Sequence, residues 1–235
     1  MNEARDRLRS ARPVSYGPSR PRSVRTRRFL DLALVIGASP VWVPLAAGVA
    51  LSIVASSGRP IFFVQTRTGH NGEPFPMIKF RSMTTGPNPL VPTDAHITDI
   101  GRVLRRTSLD ELPQLLNVLH GSMSLVGPRP MLPAQSDQLS RRQQLRLQVR
   151  PGLTGFAQVS GRNSLRWSDR IELDLQWVAR STVGNYLRTL ARTAMVVRSQ
   201  DGVDGHCATD EFVDLTAAEH NASDSRVLLD DQAAV

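Results

Sequence analysis

A chain of 235 residues, 40% hydrophobic and 21% charged, has room for one core of ordinary size, so a single domain with appendages is expected and several large domains are excluded. Its formal net charge of +8 points to anionic partners such as lipid headgroups, nucleotides or nucleic acid. One cysteine, Cys207, excludes a disulfide framework within the chain and favours a cytoplasmic setting. The charge is unevenly placed. Residues 1–28 carry nine arginines against two acids, whereas from Ser199 onward nine acids face one arginine.

Residues 1–26, rich in Arg, Pro and Ser with almost no apolar pattern, cannot repay the entropy of ordering. They are expected to be a disordered basic tail, either solvated or in contact with anionic lipid. From Leu32 to Gly58 no residue is charged, which meets the roughly 20 residues that a bilayer-spanning helix needs. A signal peptide would have a shorter apolar core and a less basic sequel. A straight transmembrane helix would leave basic segments on both sides of the membrane, against the positive-inside tendency. Ser39-Pro40 offers a third reading, because a proline deep in a helix removes a hydrogen bond and bends the chain, and the serine hydroxyl can take up a freed carbonyl. The pieces on either side, about 11 and 16 residues, rise roughly 16 and 24 Å, so neither alone crosses a hydrocarbon core of about 30 Å. Pro44 adds a second irregularity. On the residues alone, segment 27–58 is either a spanning helix or a re-entrant one broken at Ser39-Pro40.

Residues 61–68 and 74–80 read as two strands joined at an Asn71-Gly72 turn, which brings Gln65, Arg67, Lys79 and Arg81 to one small sheet. Lys79 is the sole lysine, and where arginine fills every other basic position it marks a place suited to a compact ammonium. Residues 84–98 read as a loop and 99–106 as a short basic helix.

The stretch that follows, TSLDELPQLLNVLHGSMSLVGPRP over 107–130, sets two adjacent carboxylates, Asp110 and Glu111, at the start of an apolar helix. Ser108 as N-cap, Glu111 three residues on and Pro113 in the first turn predict that start, with Leu112, Leu115, Leu116 and Leu119 on one face. The acids could merely complement the helix dipole. However, Arg102, Arg105 and Arg106 lie just upstream, and a rigid Gly127-Pro128-Arg129-Pro130 turn brings a further guanidinium back, which suits a phosphate group. Two carboxylates beside phosphate suggest a division of labour, one attacking phosphorus and the other holding Mg²⁺.

Residues 132–150 read as a polar surface helix, one that could lie at a headgroup plane, and 153–160 as a short extended piece running into the Gly161 turn. A helix over 165–181 carries Ile171, Leu175 and Val178 on one stripe and Asp174 within it. Another over 183–198 is amphipathic, with Arg188, Arg192 and Arg198 alongside. Residues 199–235 turn acidic and lose periodicity, as a disordered tail does.

The SLDELPQLLNVLHGSMSLVGPRP run resembles the signature of the bacterial sugar transferases, the monotopic phosphoglycosyl transferases. The likeness extends to RRFLDL, GRPIFFVQTRTGHNGEPFPMIKFRSM, RPGLTGFAQVSGRN and LDLQWV, and so covers roughly residues 27–195. It implies a small mixed α/β catalytic domain over 59–198, a re-entrant membrane helix-hairpin over 27–58 and amphipathic interface helices, held at the cytoplasmic face of the bacterial inner membrane. It implies transfer of a sugar 1-phosphate from a UDP-sugar to polyprenyl (undecaprenyl) phosphate with release of UMP, the first membrane step in assembling exopolysaccharide, O-antigen or a related glycan. Nucleic acid is not expected as a partner, and other glycosyltransferases of glycan assembly are compatible neighbours. By the same resemblance Asp110 is the nucleophile and Glu111 the Mg²⁺ ligand. Lys79, Arg81, Arg105 and Arg129 are candidate phosphate contacts, and Asp174 is an acid tied to the site, although Trp177 stands where tyrosine is commoner in the family. The competing reading from charge alone is a non-catalytic basic adaptor anchored to the membrane.

Overall fold

Two helices that meet at a break carry the apolar segment, and both return to the same body. The first, α1 (Pro21–Gly37), is separated by Ala38 from α2 (Ser39–Ser57). The computed structural model describes residues 21–84, 97–161 and 165–199, so most of the basic tail, most of the 84–98 loop and nearly all of the acidic tail lie outside the described residues. Helix α1 begins inside the stretch expected to be a tail. Pro21 suits a first helical position, and docking supplies what the local sequence lacks: Ser23 Oγ donates to the Ser181 carbonyl and the Arg28 guanidinium to the carbonyls of Val118 and Leu119.

The break lies one residue before the expected Ser39-Pro40 step, which instead opens α2. In its first turn Pro40 lacks only an N–H that no helical carbonyl would take. The carbonyl of Val35 accepts from the Trp42 indole at 2.9 Å, the role expected of the Ser39 hydroxyl. Among the described residues α2 is the one helix long and apolar enough to cross a membrane, about 28 Å at 1.5 Å per residue. Its later turns, however, pack on the body: Val49 and Ile53 join Phe80 and Leu104 in one buried cluster, while Val35 of α1 joins Phe75, Met77 and Val118 in another. Between them Ile36, Val41, Val43 and Leu45 stay exposed.

β1 (Phe62–Thr68) and β2 (Pro74–Phe80) form the expected antiparallel hairpin, with Phe63 opposite Lys79 and Arg67 opposite Phe75. Asn71 and Gly72 take the positive φ that the turn requires. Helix α3 (Asp99–Thr107) is capped by Thr98, whose hydroxyl accepts from Gly101 N at 3.0 Å. Helix α4 (Gln114–His120) ends at Gly121 with φ of 100°. After it β3 (Ser124–Val126) pairs in parallel with β4 (Gly152–Thr154). Among the described residues the architecture is thus mixed but mostly helical, with two two-stranded sheets.

Residues 132–150 do not form the expected surface helix. Pro133 starts α5 (Pro133–Ser136), and a reciprocal Ser140–Gln143 capping box starts α6 (Arg141–Gln144), so the segment turns inward and buries Leu139, Gln143 and Arg146. Residues 156–160 are helical rather than extended. This short helix, α7 (Phe156–Ser160), packs on α8 (Trp167–Arg180) and α9 (Val183–Ser199), the two helices expected from periodicity. The amphipathic face of α9 meets the fold through Tyr186 and Leu190, and Tyr186 Oη donates to Asp31 Oδ1 of α1 at 2.8 Å. Asp31 also accepts from Ser124 Oγ and Leu125 N, so one buried carboxylate fastens α1 to β3 and α9. Burial, with the Asp31 charge second, pushes the Tyr186 phenol above its ordinary value and keeps it a donor.

Candidate active site

The two acids sit on a single 3₁₀ turn, Leu109–Glu111, between α3 and α4. This differs from the expected capping box. Ser108 takes a left-handed conformation at φ of 58° and closes α3, its N–H donating to the Arg105 carbonyl, and its side chain caps nothing. Leu112 and Pro113 then continue into α4. The reversal between two helices is what turns both carboxylates toward the basic residues instead of along one helix axis.

Glu111 is the electrostatic centre. Its Oε1 accepts from Lys79 Nζ and from Arg129 Nη2, each at 2.8 Å. Burial alone would push its carboxyl up, but the charges and hydrogen bonds of Arg129 and Lys79 outweigh that and hold it well below the usual carboxylate range. Asp110 is buried and moves the other way. Desolvation raises its pKa, opposed by Lys79 and reinforced by the Glu111 charge. Two neighbouring carboxylates are thereby differentiated, one favoured as an anion by its ion pairs and the other disfavoured as an anion by its burial.

Each cation reaches the site from a different element. Lys79 comes from β2 and Arg67 from β1, where its Nη2 donates to Gln65 Oε1 at 2.6 Å. Burial, reinforced by Arg129, pulls the Arg67 guanidinium down to about 10, still protonated at neutral pH. Arg105 projects from α3 with Nε on Ser82 Oγ at 3.0 Å. Arg129 depends on the Gly127-Pro128 turn, where Gly127 is required by close approach: a Cβ there would stand 2.4 Å from the Arg150 carbonyl. Gly127 N donates to the Thr154 carbonyl and Gly152 N to the Pro128 carbonyl, which fixes the turn to β4.

These groups line one cavity of about 720 Å³, within the ordinary range for a small-molecule site, and its far walls come from β4, α7, α8 and α9. Of Arg102, Arg105 and Arg106, just upstream of the acids, only Arg105 lines it. Arg81 does not: its Nη2 donates to the carbonyls of Ser57 and Gly58, capping the end of α2. Asp174 lines the cavity and is almost wholly buried against Arg146, whose Nη2 lies 2.5 Å from Asp174 Oδ2 and also donates to the Arg129 carbonyl. Sequence reasoning passed over Arg146. Only its companion acid, buried on α8, could have signalled it.

Among the described residues no group of three or more His, Cys, Asp or Glu gathers as a metal cage. The donor set nevertheless fits Mg²⁺, which binds through one or two carboxylates plus substrate phosphates. Lys79 and Arg129 both donate to Glu111 Oε1, so Oε2 is the oxygen that would hold a cation.

A family model described as bacterial sugar transferase matches residues 22–200, most of the chain and the whole of this site. The chain belongs to that family. It is therefore an enzyme, and the non-catalytic adaptor reading is set aside. Among its relatives this sugar transferase is 38% identical over 215 residues to a UDP-glucose:undecaprenyl-phosphate glucose-1-phosphate transferase of Caulobacter vibrioides, covering 80% of each chain. It is 41% identical over 160 residues to the uncharacterized sugar transferase EpsL of Bacillus subtilis, covering 66% of this chain and 79% of that one. Over 148 residues it is 43% identical to the enzyme of the same glucose-1-phosphate transferase name in Escherichia coli, spanning 57% of this chain and 32% of that longer one.

The Glu111→Gln variant of this sugar transferase is expected to lose about 2 kcal/mol of stability, less than the 3–5 kcal/mol of a fully buried pair because Arg129 is half exposed. The Glu111 contribution is present above its unfolded pKa of about 4.3 and is lost as pH falls through the depressed folded value. The wild type should therefore lose part of its lead over the variant in thermal melts below that pH, and an equal lead at all pH values would refute the assignment.

Proposed function

We propose that this enzyme transfers a sugar 1-phosphate from a UDP-sugar to polyprenyl phosphate, releasing UMP, at the cytoplasmic face of the bacterial inner membrane. The observation that carries the reading is a buried Asp110 beside a Glu111 locked to Lys79 and Arg129, in a cavity that Arg67 and Arg105 also line. In the first step an Asp110 oxygen forms a bond to the β-phosphorus while the bond from that phosphorus to the bridging oxygen breaks, and UMP leaves with the electron pair. In the second, an oxygen of the lipid phosphate attacks the same phosphorus and Asp110 leaves as a carboxylate. Arg67, Arg105 and Arg129 face the phosphate oxygens, and Lys79 holds Glu111 in place. Bound Mg²⁺ would supply charge neutralisation at the diphosphate, held by Glu111 Oε2 with phosphate oxygens. The relatives named as undecaprenyl-phosphate transferases support the choice of acceptor.

A re-entrant course for α1 and α2 belongs to the same proposal. Its support is that Val35 on one leg and Val49 and Ile53 on the other are buried in the same body, so the segment free to enter lipid is the short exposed stretch about the break. A tag at the N-terminus and one inserted after Gly58 are both expected to be inaccessible from outside intact cells, and opposite accessibility would establish a spanning helix. The chemistry is tested by supplying a panel of UDP-sugars, polyprenyl phosphate and Mg²⁺ to purified enzyme and measuring UMP. No release with any donor would overturn the transfer reading.

A further inference from the structure

Gln158 is a polar side chain in the same cavity for which the transfer chemistry has no use. Its Nε2 and Oε1 are both shut off from solvent, and neither has a hydrogen-bond partner among the described residues. A carboxamide desolvated and unsatisfied at both ends is costly, and native folds retain one mainly where something else completes its bonds. The backbone beside it also leaves the side chain its room. Gly155, next to the start of α7, has no Cβ, and one built there would stand 2.9 Å from Gln158 Oε1.

The elements around Gln158 differ from those that carry the acids. Ala157 and Val159 of α7 line the cavity beside it, and α8 adds Trp167, with the Arg170 guanidinium 5.8 Å from its ring centroid. The acids and their cations come from β1, β2, α3, the 3₁₀ turn and the Gly127-Pro128 turn. If the β-phosphorus of a nucleotide sugar stands at Asp110, the molecule runs on one side to the sugar and on the other through a second phosphate and a ribose to its base.

We propose that Gln158 reads the uracil of the donor, its Oε1 accepting from the imide N–H and its Nε2 donating to a neighbouring carbonyl of the ring. The inference rests on the donor being a UDP-sugar and deepens that reading. The pairing of groups favours the base over the sugar. A sugar hydroxyl rotates and both donates and accepts, so a single polar atom of either kind satisfies it. A uracil edge sets a fixed donor beside a fixed acceptor and needs the reverse pair from the protein, which one carboxamide supplies.

The test uses the full-length enzyme in detergent with a UDP-sugar that the wild type turns over. The Gln158→Met variant keeps the volume and removes both hydrogen-bonding atoms. It is expected to raise KM for the UDP-sugar and the inhibition constant of the product UMP together by about tenfold to a hundredfold, as two lost hydrogen bonds imply. KM for polyprenyl phosphate and kcat at saturation should stay at the wild-type values. A rise in KM for the UDP-sugar with UMP inhibition unchanged would place Gln158 on the sugar and overturn the proposal, as would a fall in kcat alone. Absence of turnover in the wild type would instead strike the transfer reading. In that case calorimetric titration of UMP into wild type and variant still decides, since equal affinity, or none in the wild type, counts against the base subsite.

Discussion

The Asp110→Asn variant is expected to release UMP about 10⁴-fold more slowly than the wild type, or not measurably, because an amide cannot form the acyl phosphate on which the proposed two-step path depends. The same substitution is expected to raise the melting temperature. Burial lifts the Asp110 pKa above its unfolded value, with Lys79 opposing and Glu111 adding to the shift. A raised pKa means that the carboxyl favours the folded state fully below its unfolded value of about 3.9, and that this contribution is lost as pH rises through the folded value. Wherever it is ionised the buried carboxylate is therefore a burden on the fold, and the neutral amide removes it. Loss of activity together with a lower melting temperature would mean that Asp110 serves the structure. In the wild type the acid limb of the rate profile should lie above the ordinary aspartate range, since the attacking group must be ionised.

The Arg146→Met variant is expected to show the largest loss of stability, about 3–5 kcal/mol, read from urea unfolding in detergent. Arg146 and Asp174 are 4% and 2% exposed, so removing one partner strands the other away from water. Replacing both with apolar side chains of similar size should recover much of that loss, because a buried ion pair contributes little net stability once its desolvation is counted. Activity should not recover with it. Arg146 Nη2 also holds the Arg129 carbonyl at 2.9 Å, and without that bond the turn that aims Arg129 at Glu111 loses an anchor. A double variant that regains both stability and turnover would show that Arg146 has no part in positioning Arg129.

Much of the site was legible because its signals are local. Asp110 and Glu111 are adjacent, the upstream arginines lie within one helix of them, and the Gly127-Pro128-Arg129-Pro130 turn is rigid whatever surrounds it. Lys79 was marked by composition and placed by a hairpin whose turn residues are read directly from Asn71-Gly72. The Ser108 cap was misjudged for an equally local reason: the capping-box pattern was present, but α3 reached Thr107 and needed a left-handed residue to stop, and that use of Ser108 displaced the other.

The sequence by itself determined the acid pair, the basic residues near it in the chain and the α8 and α9 helices, since each is written in periodicity or in the stereochemistry of neighbouring residues, and it offered a helical break at Ser39-Pro40, one residue from the one at Ala38. Tertiary structure alone decided that Arg81 caps α2, that residues 132–150 fold inward to deliver Arg146 and that Gln158 faces the cavity. It also decided that Asp31 joins α1 to Ser124, 93 residues away, and to Tyr186, 155 residues away. Those partners are chosen by burial, where a charge or amide must find whatever complement the fold brings near, and that choice leaves no period in the chain to be read.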